Sequence, residues 1–457
     1  MTLELVLRGG CVVTSGGRGA ADIGVAGGRI VQLGGEMRGE RELDARGKLI
    51  LPGGVDVHVH LSQPHRPAPD SELWVDDFHS GSLAAIAGGI TTIGNMTFQW
   101  AGETLAEALA RDRAAAARDA SVDYVLHPVL TDPAPERLAE IPTLAAEGYG
   151  SLKVFMVSPQ FDANAEAYID AIASAGTNGL TTMVHCEDGP IIRCTCRRLL
   201  ALGRGEVAHW SESRPDYTEA AAVERAIAIS RATEAPLYLV HISSHAALEA
   251  CRRARADGVR VSVETRPLYL HLTSERLREP DGAKYVGAPP LRETADVRAV
   301  WNALCDGTVQ TVCTDHAPWT LEQKLDPSLD VTNARQGVAD LDTALPMLFS
   351  TGVGSGRITI ERFVELVATN PARLFGLYPR KGTIAVGADA DLVVWDPEQE
   401  RPVEAAKLQS RAGYSVYEGE RVRGWPIVTI ARGDVLLEDG AINAPQGRGR
   451  WLARDRD

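Results

Sequence analysis

The 457 residues exceed what one minimal core needs and predict a large barrel or two domains. With 44% hydrophobic and 24% charged residues the composition is that of a soluble globular protein; no apolar run reaches membrane-span length, and Met1-Thr2-Leu3-Glu4 does not begin a signal peptide. A formal net charge of −14 argues against a nucleic-acid partner, and seven cysteines without framework spacing read as reduced thiols in the cytoplasm.

In chain order, the first fifty residues are short β-type runs broken by Gly9-Gly10, Gly16-Gly17, Gly27-Gly28 and Gly34-Gly35, which predicts a small antiparallel sheet with tight turns. Apolar, β-branched runs then predict strands over 54–58, 90–95, 122–129, 151–157, 181–185, 237–242, 259–264 and 309–314. Helical periodicity appears between them, as in Ala106–Ala120, Ala163–Ala175, Glu219–Ala232 and His245–Ala256. β-type texture returns in Ala390–Trp395 and Pro426–Ala431. The expected fold class is α/β: a (β/α)8 TIM barrel over 53–379, with a small β-sandwich domain built from 1–52 and 380–457. The basic ending, Arg448 to Arg456, reads as a solvated tail or a subunit contact.

Side chains two apart on a strand point the same way, so His58 and His60 project together; the pair is a natural half-site for a divalent metal or a chance His-x-His in an ordinary strand. In a barrel of this kind active sites lie at the C-terminal ends of the strands. His185 ends the fifth predicted strand, His241 the sixth and Asp315 the eighth, and all converge on the rim that carries the histidine pair. Lys153 lies in the fourth strand, where a free ammonium would repel a metal. It is either a lysine snorkelling from the barrel mouth or a covalently carboxylated one, and periodicity leaves both open. Among other residues, Cys194-Thr195-Cys196 reads as helix packing. His127 reads as a core or pocket histidine, and His316 as pointing away from the ligand group.

Ordered motifs run almost end to end: Pro52–His60, Asp77-Phe78-His79-Ser80-Gly81, Ala87–Thr92, the Lys153 strand, Val184-His185-Cys186-Glu187, Val263-Glu264-Thr265, Ala288-Pro289-Pro290-Leu291-Arg292, Thr314-Asp315-His316, Asn370-Pro371-Ala372 and Lys381–Asp391. In these the chain resembles the amidohydrolase superfamily, in its cyclic amidase branch of hydantoinases, dihydropyrimidinases and allantoinases. The resemblance implies two divalent metal ions, most often Zn2+, bridged by carboxylated Lys153. His58, His60 and Asp315 would serve one ion, and His185 and His241 the other. It further implies that a hydroxide bridging the ions opens a cyclic amide such as a hydantoin or dihydropyrimidine ring to an N-carbamoyl amino acid. Asp315 would act as general base and then acid. A homotetramer or dimer is implied in the same way.

The departures fall around the substrate. The tyrosine that many D-selective relatives carry five residues beyond the lysine is Ser158 here, and the usual serine before Pro-Pro-Leu-Arg is Ala288. Gln336-Gly337-Val338-Ala339-Asp340 replaces an Asn-Gly-x-Pro-Gly type of loop, so Asp340 stands where relatives have glycine. Ser158, Ala288, Gln336 and Gly337 are therefore the expected substrate contacts. Ser62, where a dihydroorotase would carry arginine, argues against that activity, whereas Val240–Ser244 has an allantoinase flavour. Some dihydropyrimidinase relatives are non-catalytic scaffolds that have lost ligands; all six ligand positions are kept here.

Overall fold

The computed structural model describes residues 3–61 and 74–454; Met1, Ser62 and Arg456 lie outside them. The runs of the middle form eight parallel strands: β1 (Gly54–Val59), β2 (Ile90–Phe98), β3 (Asp123–Val129), β4 (Ser151–Phe155), β5 (Thr181–His185), β6 (Leu237–Leu239), β7 (Val261–Thr265) and β8 (Thr311–Val312). Each pairs with the next in chain order. Between β8 and β1 only a bridge from Val59 to His316 remains, strengthened by the His60 N–H donating to the His316 carbonyl at 2.8 Å. The result is a nearly closed TIM-like barrel. Its strands are apolar on both faces because helices cover the outside, and all nine residues of β2 are buried.

The helices begin where the sequence offers caps. Thr104 and Glu107 form a capping box on Leu105–Asp119, and Ser244 caps His245–Ala256. β6 and β8 are shorter than the periodicity predicts, for a physical reason. The chain passes through positive φ at His241 (42°) and Asp315 (50°), which no strand accommodates.

The two ends build two further sheets. Leu3–Arg8, Ile23–Ala26, Arg29–Leu33 and Gly39–Asp44 make one of four strands. Cys11–Thr14, Gly17–Ala20 and Leu49–Pro52 join Leu392–Pro402, Arg421–Ala431, Asp434–Glu438 and Ala441–Ile442 in one of seven. The N-terminal pairing is not purely antiparallel as expected: Leu3–Arg8 runs parallel to Gly39–Asp44, and Cys11–Thr14 parallel to Leu49–Pro52. The chain alternates between sheets, so each parallel pair is connected through strands of the other. Leu5, Leu7, Val25 and Ile30 pack against Leu392, Val394 and Ile430 to form the core between them.

A buried ionic cluster fixes these sheets to the N-terminal end of the barrel. Lys381 Nζ lies 2.7 Å from Asp123, 2.7 Å from Asp391 and 3.0 Å from Asp389, and Arg432 adds a contact to Asp123 at 3.1 Å. Burial alone would lower the Lys381 amine, but the three carboxylates outweigh it and hold it above its ordinary range.

The basic ending corrects the expectation of a solvated tail. β3 pairs with β4 at one position only, Val129 with Lys153, so the lower part of its edge is free. Residues 450–452 fill that gap: the Tyr124 N–H donates to the Arg450 carbonyl at 2.9 Å and the Leu452 N–H to the Tyr124 carbonyl at 2.8 Å. The segment is a strap that completes the edge of the barrel. All seven cysteines are unpaired, and among the described residues no helix is long and apolar enough to cross a membrane.

Candidate metal centre and pocket

The six residues singled out as ligands meet at the C-terminal mouth of the barrel. His58 lies in β1 with His60 just beyond it, Lys153 is in β4, and His185 closes β5. His241 and Asp315 follow β6 and β8 in their left-handed turns, strained backbone of the sort that clusters at functional sites. The His58 and His60 rings are 5.5 Å apart, His58 and His241 5.5 Å, and His185 and His241 4.6 Å. Asp315 Oδ1 lies 3.2 Å from His58 Nε2 and 3.0 Å from His60 Nε2. His58, His241 and Asp315 each offer one ligand atom within 4.8 Å of the others, a group able to hold a cation.

Buried carboxylates fix which nitrogens face the centre. Glu264, on β7, lies 2.8 Å from His58 Nδ1 and accepts the His241 backbone N–H at 3.0 Å and the Tyr238 hydroxyl at 2.8 Å. Glu187 lies 2.8 Å from His185 Nε2 and accepts from Arg214 at 2.8 Å. With those nitrogens donating, His58 presents Nε2 and His185 presents Nδ1, each ring oriented by a carboxylate behind it. Burial pushes His60 down to about 4 and, with His185 beside it, His241 well below its ordinary range. Neutral imidazoles keep the lone pair that a metal requires.

Lys153 does not snorkel; its side chain is fully buried. Its Nζ has no hydrogen-bond partner among the described residues and sits 4.9 Å above the Phe155 ring. Burial lowers this amine to about 8 against the opposing pull of Asp315 and Glu264. His60 Nδ1 and His241 Nδ1 are also buried without partners. Orphaned nitrogens beside a carboxylate, in a pocket of neutral imidazoles, are a donor set that fits divalent cations.

Asp315 is held from behind. Arg266 Nη1 lies 2.9 Å from Asp315 Oδ2, and Arg266 Nε donates to the Thr314 carbonyl at 2.9 Å. Burial would raise the Asp315 carboxyl, but Arg266, His58 and His60 outweigh it and keep it well below the usual carboxylate range. His316 turns away as expected, toward Asp76 at 3.0 Å. His127 is a core residue: its Nδ1 meets Ser151 at 2.5 Å and its ring lies edge-on to Phe375. Cys194 and Cys196 lie in the helix Gly189–Ala201, where Cys196 packs inward.

His58, His60, His185, His241 and Asp315 line the floor of a cavity of about 330 Å³ that Ser158, Ala288, Gln336 and Gly337 also line. The Ser158 hydroxyl accepts the Gln160 N–H at 3.3 Å and so caps the helix Pro159–Ala163. Asp340 is not among the lining residues; it is buried behind the wall, where its carboxylate accepts from Thr343 at 3.0 Å. One side of the cavity is aromatic: Trp74, Phe98 and Phe155 follow one another at 5.9 and 5.8 Å between His60 and His185.

Sequence reasoning overlooked Glu187, Glu264 and Arg266 as functional residues. The first two were signalled by their motifs, since each is an acid at or beyond the end of a barrel strand. Arg266, which follows Thr265, carried no such signal, because its partner Asp315 is remote in the chain.

A family model described as the amidohydrolase family matches residues 49–436. A D-hydantoinase of Ralstonia pickettii is 36% identical over 457 residues, covering 99% of each chain. A D-phenylhydantoinase of Escherichia coli O9:H4 (strain HS) is 36% identical over 99% of this chain and 98% of its own. A solved D-hydantoinase structure superposes with a TM-score of 0.95 at 36% identity, covering 99% of each chain. The chain belongs to the amidohydrolase family.

Proposed function

We propose that this enzyme hydrolyses a cyclic amide, opening a hydantoin or dihydropyrimidine ring to an N-carbamoyl amino acid. His58, His60 and Asp315 would hold one divalent ion and His185 and His241 a second, zinc being the first choice for imidazole and carboxylate donors. Lys153 would join them as its carbamate, formed when the neutral amine adds to carbon dioxide and releases one proton. The observation that carries the reading is the buried, partnerless Lys153 Nζ among those ligands. When bound, such ions acidify water and polarise an amide carbonyl.

The chain's own residues do the rest. Asp315 Oδ1 faces the histidines while Arg266 holds Oδ2, so one oxygen is aimed at the centre and keeps its charge. It takes a proton from the attacking water, whose oxygen joins the carbonyl carbon. As the carbon–nitrogen bond breaks, Asp315 returns the proton to the departing ring nitrogen. Trp74, Phe98 and Phe155 supply an apolar wall for a ring substituent and exclude water. In this reading residues 53–379 carry the chemistry, and 1–52 with 380–457 form the supporting β domain. The unpaired cysteines support a cytoplasmic enzyme, and family likeness supports a homotetramer or dimer.

Zinc-loaded protein should hydrolyse hydantoins with apolar 5-substituents in a screen that also holds dihydrouracil, allantoin and cyclic imides. Chelation should abolish the activity and zinc restore it. Failure on every ring would reject the proposal.

A further inference from the structure

Lys324, the last residue of the short helix Leu321–Lys324, is buried to 1% exposure, yet among the described residues no carboxylate lies within ion-pair distance of it. Its Nζ donates instead to three backbone carbonyls, Arg335 at 2.6 Å, Val286 at 2.7 Å and Gly337 at 2.8 Å. An ammonium has three N–H donors and no acceptor, so the set is filled. Burial, with Arg266 adding repulsion, pushes this amine well below its ordinary range, and three carbonyls that can only accept hold the proton on it against that pull. A residue needed only to fill space there would be apolar.

The three carbonyls belong to two loops that line the pocket. Val286 stands two residues before Ala288, and Arg335 and Gly337 flank Gln336. The loops also meet directly, the Gly337 N–H donating to the Val286 carbonyl at 3.1 Å. Trp319 Nε1 donates to the Gln336 carbonyl at 2.8 Å. The carbonyls of 335, 336 and 337 are thus all fixed from outside the loop, which sets the plane of each peptide. Gly337 itself, at φ 124°, passes so close to Ala317 that a Cβ would collide with its carbonyl.

We propose that Lys324 is a positioning residue that clamps these two loops at a fixed separation and thereby sets the ring size the pocket accepts. This rests on the cyclic-amide reading, because the loops it joins carry Ala288, Gln336 and Gly337. Lys324 does not itself line the cavity and hydrogen-bonds none of the six candidate ligands, so its influence falls on substrate fit and leaves the metal centre intact.

The test compares wild type with Lys324→Met and with Lys324→Gln, which keeps two N–H donors and preserves a folded variant if Met does not fold. Kinetics on hydantoin and dihydrouracil should show KM for hydantoin raised about 10-fold with kcat changed less than about 3-fold. The preference for the five-membered over the six-membered ring should shift by about 10-fold, with bound metal at the wild-type level. Backbone amide exchange, read without substrate, should quicken about 10-fold in 286–288 and 335–338 while the barrel strands stay protected. Unchanged exchange in both loops overturns the clamp. Quickened exchange with an unchanged KM and ring preference overturns its role in specificity. A wild type that opens neither ring would defeat the cyclic-amide reading instead, and the exchange result would still decide the clamp.

Discussion

Lys153 and Lys381 are equally buried, at opposite ends of one barrel, and the chain treats them in opposite ways. Lys381 meets three carboxylates and is held protonated. Lys153 meets none within bonding distance and is pushed toward the neutral amine, among imidazoles that burial also keeps neutral. A buried charge that is fully paired welds two parts of a fold together. A buried amine left bare is what the carbamate proposed for Lys153 would need.

The comparison can be broken by exchanging each lysine for methionine. Lys153→Met should lower activity more than about 100-fold, beyond what loss of a supporting residue costs, and deplete bound metal. Its urea midpoint should hold or rise, since an unpartnered polar group is removed. Lys381→Met should cost about 3–5 kcal/mol of stability by stranding buried carboxylates, yet leave kcat per folded molecule unchanged. The opposite pattern, in which Lys153→Met unfolds and Lys381→Met stays stable but inactive, would defeat the contrast.

Between these extremes stand groups that serve the bare site from behind. Glu264→Gln loses the charge that orients His58 and receives the His241 N–H. Metal affinity measured by chelator competition should fall about 10–100-fold with the fold intact. Affinity equal to wild type would mean that Glu264 serves only the core.

The smallest effect concerns Asp340, which burial raises to about 7 although Arg266, Thr343 and His316 oppose it. The folded state then binds this proton more tightly than the unfolded chain does. The contribution to stability is full below pH about 4 and is lost as pH rises through about 7, with a slope of at most about 1.4 kcal/mol per unit. Asp340→Asn should flatten the fall in denaturation free energy between pH about 4 and about 7. A variant as steep as wild type would assign the slope to other groups.

Barrel strands and the residues that meet at the barrel mouth were legible because a parallel strand covered on both faces is a continuous apolar run, and a polar residue at its end stands out. His58, His60, His185, His241 and Asp315 all announced themselves so. The strap at 450–452 was not legible, because nothing in its composition reveals that β3 leaves an edge free. Asp340 read as a pocket residue because proximity in sequence to Gln336 and Gly337 says nothing of which way its side chain turns. Lys324 escaped notice for a related reason: its partners are carbonyls, which every residue has.

The seven-stranded sheet also has a consequence in time. Leu49–Pro52 pairs with Leu392–Pro402, and the intervening 339 positions take roughly 20–70 s to emerge at about 5–20 residues per second. Throughout that interval the earlier strand waits with its edge open to any other nascent chain. The sheet is therefore assembled late and, for a cell making the protein quickly, is a part in need of protection.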